Sequence, residues 1–229
     1  MFLAERNLIF IHIPKCAGTS IERAFEFFKY YDSWGKQDHR SYRELTPLSP
    51  RLDRLLPLTN AKECGKRIFR RSANPAGSIY PTANQFESCR VFSVVRNPYT
   101  RAISWYKNVK REPEYWKRYG VTEHVGFSEF LDRCLGRDAL RTQFHWLSDF
   151  GGRLPEHIEL LRFESLALEW ARFSESVGLD VALPHEQMSD NGRDELDVLD
   201  ATSIKLLRDY FSMDFKLLGY STKFEDRFL

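Results

Sequence analysis

A short apolar run rich in isoleucine, Leu8 to Ile13, predicts a strand near the start of the chain. Pro14 and Gly18 in the following PKCAGTS forbid its continuation. In SIERAFEFFKYY beyond them, Ile21, Ala24, Phe25 and Phe28 recur at i, i+3, i+4 and i+7, which is one face of a helix. A second apolar run, RVFSVV at 90–95, ends at Arg96-Asn97-Pro98, where asparagine suits a helix N-cap and proline the first helical position. Tyr99, Ala102, Ile103 and Tyr106 then share a helix face. Strand, tight turn and helix therefore occur twice.

The pattern is weaker between these units. From Trp34 to Pro57 the chain is polar and broken by Pro47, Pro50 and Pro57, with HRSYREL as a short helix; from Leu58 to Phe86 only KRIFR shows any run. Residues 34–86 are expected to form a substrate-facing excursion. Lys107 to His124 is charged and aromatic and predicts a surface helix and lid. Phe127, Phe130, Leu131 and Cys134 mark a short helix capped by Ser128; Leu140, Phe144 and Leu147 mark another, ended by Gly151-Gly152. Ile158 to Phe163 predicts a third strand, followed by a helix with Leu166, Trp170, Phe173 and Val177 inward. Leu196, Leu199, Ser203, Leu206 and Tyr210 give a last helix of about four turns. The order predicts one α/β domain over 1–229, a P-loop-type three-layer fold with a small central parallel sheet flanked by helices.

Composition narrows the partners. Lys plus Arg is 34 against 32 for Asp plus Glu, a net charge of +2, too balanced for a chain whose main partner is nucleic acid. At 229 residues the chain can bury a core without staples, and Cys16, Cys64, Cys89 and Cys134 lack the CxxC spacing of a zinc or redox pair. They are expected to be reduced thiols of a cytoplasmic protein. Glu5 and Arg6 precede an apolar run too short for a signal peptide or a membrane span, while peripheral membrane association stays open.

PKCAGTS carries the sharpest chemical signal. Unpaired N–H groups at a helix start, with the Lys15 ammonium and the Thr19 and Ser20 hydroxyls, suit a tetrahedral oxyanion. It is not the GxxxxGK[ST] nucleotide loop, because the lysine precedes the glycine. The second strand ends in Arg96, where an ATP-hydrolysing protein needs an acidic residue for magnesium, so a second fixed anion bound without a metal is expected. A cysteine-dependent phosphatase built on Cys16 requires an arginine where this chain has Glu22, with Arg23 one residue late. That offset turns the guanidinium about 100° away on a helix.

IFIHIPKCAGTSIERAF followed by VFSVVRNPYTRAISWY resembles the sulfotransferase superfamily, in its carbohydrate-type branch related to heparan sulfate 2-O-sulfotransferases and small bacterial relatives. QFHWL, LLRFESL and YFSMDFKLLGY resemble later blocks of that branch in the same order. The resemblance implies 3′-phosphoadenylyl sulfate as cosubstrate, no metal, and a hydroxyl of a carbohydrate or glycoconjugate as acceptor. It implies that Lys15, Cys16, Ala17, Gly18, Thr19 and Ser20 hold the 5′-phosphosulfate, Cys16 through its backbone N–H, and that Arg96 and Ser104 hold the 3′-phosphate. Lys15 would contact the transferring group. His39 in DHRSYREL resembles the catalytic base, with Glu22 and Asp38 as alternatives and His12 structural. A kinase-like phosphotransferase and an inactive anion-binding domain of the same fold remain the rival readings.

Overall fold

The computed structural model describes residues 1–26, 37–47, 80–183 and 199–227. Its sheet has the order β1 (Phe2–Leu3), β2 (Leu8–Ile11), β3 (Arg90–Val95), β4 (Ile158–Arg162). β2, β3 and β4 are parallel, with Ile9 opposite Val91 and Val91 opposite Ile158; β1 is antiparallel to β2. The sheet is thus mixed, and β1, at two residues, is too short to leave a period in the sequence. Every residue of β2 is buried, which requires cover on both faces and explains the unbroken apolar run that encodes it. Ser93, inside β3, satisfies its hydroxyl by donating to the Ile11 carbonyl at 2.7 Å.

The described helices are α1 (Gly18–Ala24), α2 (Tyr42–Leu45), α3 (Ala83–Ser88), α4 (Pro98–Arg111), α5 (Pro113–Tyr119), α6 (Phe127–Cys134), α7 (Gln143–Leu147), α8 (Leu166–Ser176), α9 (Ala201–Tyr210) and α10 (Ser212–Leu218). Phe10 stacks on Phe92 with centroids 5.0 Å apart, and Phe92 meets Phe173 of α8 at 4.4 Å, joining sheet and helix in one aromatic core. Burial of each such ring is worth about 1.5–3 kcal/mol. No described helix is long and apolar enough to cross a membrane.

Several sequence expectations shift. The first strand stops at Ile11, and the third at Arg162. Gly126, not Ser128, is the N-cap of α6. Leu140 lies in a 3₁₀ turn separate from α7, because Thr142 caps α7 by accepting from the His145 N–H; α7 ends at Leu147, ahead of the glycine pair. Asp200 caps α9, whose inward residues are Ser203 and Leu207; Leu206 and Tyr210 are 38% and 36% exposed. The apolar pair Leu206-Leu207 leaves the phase of the stripe ambiguous by one residue, about 100°. Phe28, Cys64, Leu196 and most of the 34–86 excursion lie outside the described residues.

The chain leaves the carboxyl ends of β2, β3 and β4 at one edge of the sheet, through His12–Ala17, Arg96–Asn97 and Phe163–Ser165. In open α/β sheets this edge is where ligands bind.

Candidate active site

Lys15 and Ala17 sit at φ 67° and 57°, with Cys16 between them outside that region. Such alternation curls successive N–H groups inward as an anion-binding concavity, and each left-handed residue costs about 1–2 kcal/mol. The loop is held in that shape from outside. The fully buried Arg101 donates from Nε to the Pro14 carbonyl at 3.1 Å, and Arg96 donates from Nη1 to the Lys15 carbonyl at 3.3 Å. The Cys16 N–H turns back to the Ile13 carbonyl at 3.3 Å, and the Ser20 N–H to Ala17 at 3.0 Å. The Cys16 N–H, which the sequence expectation gives to the 5′-phosphosulfate, is thus engaged within the loop. Gly18 and Thr19, first in α1, retain the N–H groups that a helix start leaves unpaired.

Gly18 is required by packing. A Cβ there would stand 1.8 Å from Nε2 of His12, a ring closed in by Phe10 and His39. Gly18→Ala is expected to lower stability by at least about 2 kcal/mol, as overpacking of a fixed core does. An unchanged urea midpoint would show that His12 can move aside.

Along α4, Thr100, Ser104 and Asn108 recur every fourth residue and so share one stripe. Thr100 Oγ1 accepts from Arg96 Nε at 3.1 Å, and Asn108 Oδ1 accepts from Lys15 Nζ at 3.4 Å and from Arg111 at 3.3 Å. The half-buried Ser104 lies between the two cation stations. Arg96 is further fixed over the Phe163 ring at 4.1 Å, and Lys15 lies 6.0 Å from the Trp105 centroid. Among the described residues Lys15 has no carboxylate partner. Burial first, then the charges of Arg96 and Arg111, pull its ammonium down to about 8.

On the other side of the loop, Gln37 Nε2 donates to Thr19 Oγ1 at 2.7 Å. His39 Nδ1 lies 3.4 Å from the His12 carbonyl, and its ring packs on the His12 ring at 4.2 Å. A carbonyl can only accept, so this contact puts the proton on Nδ1 and the imidazole lone pair on Nε2. Glu22 is fully buried: Oε1 bonds His12 Nδ1 at 2.7 Å and the Asp38 N–H at 3.2 Å. Asp38 is engaged bidentately by Arg40 at 2.7 and 2.6 Å. Asp38 and Oε1 of Glu22 thus hold the 37–40 segment in place, while Oε2 of Glu22 is buried without a hydrogen-bond partner.

The later sequence blocks brace the strand ends. The Gln143 side chain accepts from the Arg96 N–H at 2.9 Å and donates to the Arg96 carbonyl at 2.7 Å. Asp214 accepts from the Gln143 and Phe144 N–H groups at 2.7 and 2.9 Å, and Glu164 from the Asn97 N–H at 2.7 Å and the Tyr220 hydroxyl at 2.9 Å. Cys16 Sγ lies 3.5 Å from Gln143 Oε1, and burial pushes its thiol up to about 12. A nucleophile needs the opposite shift, so the phosphatase reading falls. Arg101, Asn108, Arg111 and Gln143 were not singled out from sequence; the four-residue spacing of Thr100, Ser104 and Asn108 was the one available sign.

No curated protein and no solved structure matches the chain. The Sulfotransferase family matches it over residues 1–221, which takes in the Lys15 loop, Arg96 and the bracing blocks alike. With an anion-seeking loop at the carboxyl edge of a parallel sheet and a family match over nearly its whole length, the chain belongs to the sulfotransferase family, whose chemistry is sulfuryl transfer.

Proposed function

We propose that the protein transfers the sulfuryl group of 3′-phosphoadenylyl sulfate to a hydroxyl of a carbohydrate or glycoconjugate. The observation that carries this is the α4 stripe, with Lys15 at one end and Arg96 at the other and Ser104 between them. A donor with an anionic group at each end of its ribose suits two separate cationic stations. Lys15, the N–H groups of Ala17, Gly18 and Thr19, and the Thr19 and Ser20 hydroxyls would hold the 5′ end; Arg96 and Ser104 would hold the 3′-phosphate. The cosubstrate supplies an activated sulfuryl group on a phosphate leaving group. The Lys15 ammonium and loop N–H groups stabilise negative charge developing beside them, and His39 Nε2 removes the acceptor proton. The same reading takes the chain as one cytoplasmic domain that uses no metal and no nucleic acid, with 34–86 facing the acceptor.

Arg96→Ala tests the donor assignment. A charge-assisted hydrogen bond of about 1.5–3 kcal/mol corresponds to roughly tenfold or more in affinity for adenosine 3′,5′-bisphosphate. Binding of adenosine 5′-phosphate should hardly change. Calorimetry showing equal losses for both ligands would place Arg96 away from the 3′-phosphate.

A further inference from the structure

The side chain of His12 touches both halves of the site. Its Nε2 edge stands against Gly18 of the anion loop, 1.8 Å from where a Cβ would be, and its ring centroid lies 4.2 Å from that of His39. Phe10 stacks on the same ring at 5.7 Å. Nδ1 is held at 2.7 Å by Oε1 of Glu22, and that oxygen also accepts from the Asp38 N–H at 3.2 Å, one residue before His39. The backbone of His12 thus fixes the His39 tautomer through its carbonyl, while the side chain separates His39 from the loop.

Fold stability alone does not account for this pair. His12 and Glu22 are both buried, yet Oε2 of Glu22 has no hydrogen-bond partner. A buried carboxylate oxygen left unpaired costs stability, and an apolar pair of similar volume would remove that cost.

We infer that His12, oriented by Glu22, is a positioning residue for the transfer: its ring is the spacer that sets the distance between the anion loop at Gly18 and the base His39. The inference rests on the sulfuryl-transfer reading for the roles of loop and base, while the spacing itself rests on the side chains. In-line transfer puts the acceptor hydroxyl between the sulfur held by the loop and the imidazole that takes its proton, so the span from loop to base is part of the reaction geometry. A misplacement of about 1 Å costs about 10²-fold in rate. His12 acts here without touching the substrate.

The test is a double-mutant cycle. His12→Asn keeps an amide N–H for Glu22 and removes the outer part of the ring. Its kcat is expected to fall by about 10²-fold, with affinity for adenosine 3′,5′-bisphosphate nearly unchanged because Lys15, Arg96 and the loop N–H groups remain. Gly18→Ala drives the His12 ring against Phe10 and His39 and should lower kcat as well. In the His12→Asn background the added methyl enters vacated space and should lower kcat no further, whereas independent residues multiply their losses. The spacing is also read without turnover: the His39 Cε1–H resonance, identified by its absence in His39→Ala, should move in Gly18→Ala. If His12→Asn does not fold, His12→Phe combined with Glu22→Gln takes its place; the ring is kept, so kcat should stay close to that of Glu22→Gln alone. Wild-type kcat in folded His12→Asn, multiplied losses in the cycle, equal losses of kcat and bisphosphate affinity, an unmoved His39 resonance in Gly18→Ala, or a further loss of about 10²-fold in the ring-retaining variant would each overturn the inference. A wild-type protein that transfers no sulfuryl group while the resonance moves would strike the sulfuryl-transfer reading instead and leave the spacing in place.

Discussion

Alanine at position 39 is expected to reduce turnover by about 10²–10⁴, the range by which a positioned general base accelerates proton transfer, with bisphosphate affinity unchanged. The His12 carbonyl fixes the His39 tautomer, and His12 is itself held by Glu22 at 2.7 Å. The acidic limb of the kcat–pH profile, which reports protonation of the base, should disappear in His39→Ala. Turnover retained with that limb in place would move the role elsewhere. Glu22→Gln should act differently: it keeps a side-chain oxygen of the same shape for the Asp38 N–H and His12, and so should retain more activity than His39→Ala. If the two variants lost activity equally, with Glu22→Gln still folded, Glu22 would be more than a support.

Lys15→Ala is expected to lower turnover by about 10²-fold or more and bisphosphate affinity by much less, because the ammonium acts most where charge accumulates in the transition state. Equal small losses would make Lys15 a binding residue only. Its ionisation provides an independent check. In the free protein Lys15 titrates at about 8, lowered from 10.5 by burial and by Arg96 and Arg111. A bound polyanion restores the charged form, so binding takes up a proton above that pH. Bisphosphate affinity should therefore fall as pH rises through 8, and Lys15→Met should flatten the fall. Stability has the complementary sign. The folded state binds fewer protons than the unfolded one between about 8 and 10.5, so the charged lysine destabilises the fold fully below 8 and progressively less across that window. With allowance for its partial exposure the effect is on the order of 2 kcal/mol at neutral pH. Lys15→Met should accordingly raise the urea midpoint at pH 7 while lowering turnover as Lys15→Ala does. A lower midpoint would mean that Lys15 is stabilised by its surroundings.

The sequence exposed what depends on local rules. The parallel strands are unbroken apolar runs because both faces are covered, and Asn97 with Pro98 carries the chemistry of a helix start. The anion loop was legible from Pro14, Lys15 and Gly18 for the same reason. What stayed hidden depends on residues far apart in the chain. Nothing in sequence tells that Arg101 turns inward to Pro14, 87 positions away, or that Gln143 grips Arg96 across 47. Glu22 illustrates the point: at a helix start beside the loop it reads as a candidate base, and only the structure shows that it is buried with Oε1 engaged by His12. Leu206 and Tyr210 mark another limit, since adjacent leucines fit two helix phases equally well.

Sulfuryl transfer from 3′-phosphoadenylyl sulfate is tested most directly by calorimetric titration of the wild-type protein with adenosine 3′,5′-bisphosphate against ATP plus magnesium. Binding of the bisphosphate in the absence of metal, at least about tenfold tighter than ATP plus magnesium, is the expected result, because Arg96 occupies the strand end where a magnesium-holding carboxylate would be needed. Tight binding of ATP with magnesium and none of the bisphosphate would contradict it.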